Sequence, residues 1–171
     1  MKKLIFISLS LLICSPYVLA AEPTKSKAEI TNTVMTINSG EITLAKLAQQ
    51  KATNPEVKKY ATQMLNDHTK NNDHMHALAK TEKVSPKETK DSMKLKNTSE
   101  QKAEQLKNLE GNEFNRAYMD SQVEMHKNAL DKINNELIPN AQDKELRAML
   151  DKTKVKIQEH LKEAEQIRKT L

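Results

Sequence analysis

The sequence predicts an all-α protein in which two helical hairpins pack as an up-down four-helix bundle and a long central connection joins them. Three observations carry that expectation. Apolar residues recur at three, four and seven spacings through four long segments. Glycine occurs only twice and tryptophan not at all, whereas Lys, Glu, Gln, Ala, Leu and Met, which lose little freedom in a helix, are abundant. Turn signals fall at two compact sites, Asn54-Pro55 and Pro139-Asn140, and over one longer stretch between them.

The first helix is predicted over about 28–52, on a stripe of Ile30, Val34, Ile37, Leu44, Ala48 and Ala52 that also carries Glu41. Gly40 inside it predicts a local break between a short leading helix and the main one. Asn54 as cap and Pro55 in the first turn start the second helix, which runs to about Ala79 on Val57, Ala61, Met64, His68, Met75 and Leu78. From Lys80 to about Asn97 the periodicity fails around Ser85, Pro86 and scattered charges, so a solvated, mobile link is expected. Thr98 and Ser99 are expected to cap a short helix with Ala103, Leu106 and Leu109 that bends at Gly111. The third main helix carries Phe114, Tyr118, Met119, Gln122, Val123, His126, Ala129, Leu130, Ile133 and Leu137, and Pro139 with Asn140 ends it. The fourth, from about Ala141 to Ile167, places Leu146, Met149, Leu150, Thr153, Ile157, His160, Ala164 and Ile167 on one side. Tyr60 precedes His68 by eight residues and Tyr118 precedes His126 by the same interval, a short echo between the two hairpins.

Residues 1–20 have the layout of a cleaved secretory signal peptide: Lys2 and Lys3, an apolar run from Leu4 to Ile13, then Val18 and Ala20 before the cut. The run is shorter than the roughly 20 residues that span a bilayer. Ile13 before Cys14 is a poor context for lipid attachment, so no lipid anchor is expected. The mature chain, residues 21–171, then forms a single domain without cysteine, which excludes disulfides, zinc-thiolate sites and thiol catalysis. Losing Lys2 and Lys3 leaves 26 basic against 23 acidic residues. In a periplasmic protein this modest excess argues against a nucleic-acid partner and leaves a weak attraction to anionic envelope surfaces. No later segment is apolar enough to be a transmembrane helix, and neither an envelope partner nor an oligomeric state can be read from the residues.

Four ionisable residues occupy positions where the stripes call for apolar ones. Glu41 follows Ile37 by four, His68 follows Met64 by four, His126 precedes Ile133 by seven and His160 follows Ile157 by three. Each main helix thus points one such group inward, where an unpaired charge costs several kcal/mol. A carboxylate with three imidazoles is a first shell suited to one divalent transition metal ion, zinc, iron, manganese or copper. The second turn tests this: His126 stands thirteen residues before Pro139 and His160 twenty-one after it. That mismatch is roughly 12 Å along the axis, which ranks His160 last among the ligands. A Glu three residues before a His, the mark of di-iron bundles, is absent, with Leu65, Val123 and Ile157 in those places. His74 is expected to face solvent and His76 to lie at the boundary; the Asp73-His74-Met75-His76 run is an alternative surface site for a soft metal. Met64, Met75, Met119 and Met149 read as core filler. No nucleophile-base pair, phosphate loop or dinucleotide fingerprint supports an enzyme.

The runs GEITLAKLAQQKATNPEVKKYATQMLNDHTKNN, GNEFNRAYMDSQVEMHKNAL and IQEHLKEAEQI, in that order, resemble the exported bundle proteins of domain-of-unknown-function family 4142, often labelled outer membrane proteins. The resemblance runs from about Val34 to Ile167. It implies a ferritin-like bundle and an envelope address, and no established activity. The family's Glu and three His fall on Glu41, His68, His126 and His160. Met125 stands where the family tends to place an acidic residue, leaving Glu124 as the adjacent carboxylate, and Val155 stands where it often has proline. The leading functional expectation is a periplasmic metal-binding bundle with a role in envelope stress tolerance. The alternatives are an envelope interaction protein whose His and Glu form a polar core, and a metal-dependent redox enzyme. N-terminal sequencing of the exported protein is expected to read from Ala21; an intact start or an acylated Cys14 would refute the processing.

Overall fold

Side chains cap the start of four of the helices. The computed structural model describes residues 25–171, so the signal-like residues 1–20 lie outside it. Ser26 and Glu29 form a reciprocal box at the start of α1 (Lys27–Lys51), the Ser26 hydroxyl accepting from the Glu29 amide and the Glu29 carboxylate from the Ser26 amide. Asn54 Oδ1 accepts from the amides of Glu56 and Val57 at the start of α2 (Pro55–Thr81). Thr89 and Ser92 make a second box for α3 (Lys90–Lys107). Gly111 opens α4 (Gly111–Lys132) at φ +55°, a left-handed conformation that costs glycine little. The chain continues through a π-helical turn, Ile133–Leu137, into the short α5 (Ile138–Asn140), and Asp143 caps α6 (Lys144–Arg168) by accepting from the Leu146 amide.

The polar contacts at the two ends fix the topology. The Thr53 amide donates to Asn115 Oδ1 at 3.1 Å, so α4 begins where α1 ends. At the opposite end Lys132 pairs with Asp91 at 2.9 Å and Lys27 pairs with Asp143 at 2.8 Å, so α4 ends, and α6 begins, where α1 begins. α4 therefore runs parallel to α2, and α6 parallel to α1. Two antiparallel hairpins arranged this way need a connection as long as the bundle, the single-crossover form of a ferritin-like four-helix bundle. α3 is that crossover.

Two expectations are corrected here. The stretch 80–97 is not one link: residues 82–89 connect the helices, α3 starts at Lys90, and Thr98 and Ser99 lie inside α3 rather than capping it. It escapes periodicity because it buries small residues, Ser92, Ser99 and Ala103, with Leu106 the large one. Gly40 does not break α1, which is continuous. Its missing side chain instead lets α3 approach: a Cβ at Gly40 would stand 2.8 Å from Ser99 Cβ and 2.9 Å from its hydroxyl. Pro139, with Asn140, does end the helical run, as expected. It lacks an amide and crowds the carbonyl four residues back, and the turn before it is widened, the Ile138 amide reaching the Ile133 carbonyl.

The core is divided. One apolar cluster, including Leu44, Ala48, Val57, Met64, Phe114, Tyr118 and Ala164, fills the end near Asn54; the other, including Ile30, Val34, Met75, Ile133, Leu146 and Leu150, fills the end near Asp143. Between them lies a buried polar layer of Asn38, Glu41, His68, Gln122, His126, Thr153 and His160. None of the described helices is long and apolar enough to cross a membrane. Because Ser99 Cβ has no rotamer that takes it away from α1, Gly40→Ala is expected to cost about 1–3 kcal/mol by overpacking. Urea denaturation of the single variants and of the Gly40→Ala, Ser99→Gly double variant checks it: the double should lose less than the sum, and strict additivity would place α3 away from α1.

Candidate metal centre

Four helices feed the polar layer, and the turn lengths set its level. Asn54 lies midway between residues 41 and 68, and Asp143 lies midway between residues 126 and 160, so each hairpin brings its two groups to one height. The expected 12 Å offset of His160 came from taking Pro139 as the pivot; helix continues past it, and the reversal occurs at Ala141–Asp143. The His160 ring centroid accordingly lies 5.5 Å from those of His68 and His126, which are 5.9 Å from each other. The Tyr60–His68 and Tyr118–His126 echo is spatial too: the two tyrosine rings meet edge to face at 6.4 Å, one layer away from the histidines.

Each imidazole is held by one nitrogen only. His126 Nδ1 lies 2.9 Å from the Gln122 carbonyl, and His160 Nε2 lies 3.0 Å from the Asp67 carboxylate. Both partners can only accept, so both nitrogens carry the proton. For His68 the assignment comes from a chain. Thr153 donates to the Met149 carbonyl, Asn71 donates to Thr153, Asn38 donates to Asn71, and Asn38 Oδ1 is then left to accept from His68 Nδ1 at 3.0 Å. The opposite nitrogens, His68 Nε2, His126 Nε2 and His160 Nδ1, are buried with no hydrogen-bond partner among the described residues. One nitrogen from each of the three rings lies within 4.8 Å of the others.

With the rings neutral, these three nitrogens are lone pairs, and none donates to another. Burial pushes the His68 imidazolium form well out of reach, its pKa falling with further lowering by His126 and His160. Burial also lowers that of His160, against the pull of the Asp67 carboxylate. Three converging imidazoles, each with its other nitrogen on a carbonyl or carboxylate oxygen, form the arrangement that metal-ligating histidines take. Around an ion with bonds of 2.0–2.1 Å the nitrogens would draw in to about 3.3 Å of one another.

Glu41 stands beside this group rather than in it. Its Oε1 lies 3.8 Å from His126 Nδ1, on the far side of that ring from the free nitrogen, and its Oε2 accepts from Gln122 Nε2 at 2.9 Å. Tyr118 is close enough that Glu41, after burial, raises the pKa of its phenol. Glu124 turns outward to Lys102 at 2.7 Å and supplies nothing to the layer. Asp67 does, and periodicity gave no sign of it, because it sits one residue off the stripe of α2 and reaches across to α6. His74 and His76 are exposed and Met75 is fully buried, which splits the Asp73–His76 run between surface and core. Met64, Met75 and Met119 are fully buried packing residues and Met149 is partly buried.

The fold and site define an all-helical bundle with a three-histidine cluster at its waist. The chain belongs to the family described as a domain of unknown function, DUF4142, whose pattern matches residues 16–167. Its fold is similar to the crystal structure of a Streptomyces coelicolor protein described as a secreted DUF305 protein: TM-score 0.66, 7% identity, covering 81% of this chain and 91% of that one. No curated protein matches the chain.

The lowered His68 and His160 pKa values set the acid stability of the metal-free protein. The unfolded chain takes up these protons near pH 6.5 and the folded one only lower, so stability is full above about 6.5 and falls as pH drops toward the folded values. Urea midpoints from about pH 7.5 to about 5 are expected to fall, and less steeply in His68→Gln; equal slopes would mean that His68 is not held neutral.

Proposed function

We propose that the protein is an exported, periplasmic metal-binding bundle that holds one divalent transition metal ion through His68 Nε2, His126 Nε2 and His160 Nδ1. The single observation that supports it is the convergence of three buried lone pairs with no donor among them. A structural polar core, the competing reading, pairs its buried groups; here the outer nitrogens are paired and the inner ones are not. Glu41 in this reading offers a carboxylate behind His126, lowering the cost of a buried cation, while Asp67 orients His160 in the same way. Imidazole donors suit zinc, copper and iron better than manganese. Cleavage of the signal after Ala20 would deliver residues 21–171 to the periplasm, where holding a transition metal fits a role in envelope stress tolerance.

Protein purified without chelator or tag histidines is expected to carry close to one equivalent of metal, measured by elemental analysis. His68→Ala and His126→Ala should lose it and His74→Ala should keep it. Glu41→Gln should keep the stoichiometry with about 10- to 100-fold weaker binding. The ion should raise the melting temperature, and binding should persist below the ordinary imidazole range, because burial holds the His68 and His160 rings neutral to lower pH. Loss in His74→Ala with retention in the core variants would move the site to the surface, and a protein stabilised by no ion would return the layer to a structural role.

A further inference from the structure

A cavity of about 310 Å³ opens beside the three free nitrogens, between α2 and α6. Its walls are mostly apolar: Val34, Ile37, Ile133, Leu137, Met149 and Ile157. Its exposed lining residues, Lys70, His74, Lys152 and Lys156, place the opening on the surface between those two helices. Lys156 is paired with Glu159, whereas Lys70 and Lys152 have no ion-pair partner among the described residues. The acidic groups at the cavity are Asp67 and Glu41, and both face the protonated nitrogens of His160 and His126.

We infer that this cavity receives a small monocarboxylate with an apolar tail, whose carboxylate completes the coordination of the ion; the inference rests on the metal reading above. Three neutral nitrogens leave a tetrahedral ion one position short, and neither Glu41 nor Asp67 belongs to the nitrogen group that would fill it. The missing ligand enters past the lysines, whose field gathers anions. Inside, water would find few polar partners along the Ile133, Leu137 and Met149 wall, whereas a hydrocarbon chain exchanges water contact for burial there. A basic mouth, an apolar chamber and an open metal position in sequence select for a charged head and a greasy tail together. Size fits as well, since the volume is at the lower end of what small-molecule pockets offer.

Cobalt(II) is the probe, because its visible bands report its ligands. Octanoate and acetate are titrated into the cobalt-loaded mature protein, with affinities read from the bands and by calorimetry. Octanoate is expected to change the bands and to bind roughly tenfold or more tightly than acetate, each buried methylene being worth about fourfold. Ala129→Leu, which places a larger side chain in the cavity wall, should remove that preference while cobalt stays bound, and Lys152→Gln with Lys70→Gln should weaken both carboxylates. Bands indifferent to both, or equal affinities marking an adventitious anion only, would overturn the inference and leave the metal reading intact. Failure to take up cobalt at all would overturn both. If Ala129→Leu does not fold, the octanoate-to-acetate ratio on the unaltered protein decides.

Discussion

Three imidazole lone pairs that face one another in the bundle core, with no donor between them, are the constraint around which the rest of the structure is arranged. Burying one unpaired polar nitrogen costs on the order of 1–3 kcal/mol, and bringing three together adds their mutual repulsion. The chain nevertheless fixes them there from outside. The Gln122 carbonyl, the Asp67 carboxylate and the Asn38 amide each take the proton of one ring and so point its bare nitrogen inward. A divalent ion held there, as proposed above, would turn this repulsion into attraction.

The bundle gives up a continuous apolar core to keep that layer. Its two apolar clusters are separated by it, and the crossing hydrogen bonds Asn38–Asn71–Thr153 tie α1, α2 and α6 at the same height. α3 supports the arrangement from behind. It leans on α1 at Gly40, next to Glu41 and within a turn of Asn38, so the crossover that joins the hairpins also backs the helix carrying two members of the layer. The crossover is anchored at its start by Asp91, whose carboxylate meets Lys132 of α4.

How much of the site was legible in the sequence depends on direction. His68, His126 and His160 break apolar stripes, and a stripe states which way a side chain points, so all three were visible as inward-facing groups. Glu41 was visible for the same reason, yet facing inward did not make it a neighbour of the free nitrogens; it lies beyond His126. Asp67 sits just off its stripe and acts across a helix boundary, and no pattern within α2 could show that. α3 was hidden because small residues bury a face without producing an apolar rhythm.

The sequence by itself determined the four main helices, their inward faces and the Asn54–Pro55 start of the second, because these depend on residues three or four apart. Tertiary structure alone decided height and neighbours. The π-helical turn before Pro139 and the reversal at Asp143 bring His160 level with His126, and the Gly40–Ser99 contact turns a glycine that looks like a break into a docking point. Both are properties of distances between segments far apart in the chain, set by how turns close and helices approach, and no local periodicity encodes them.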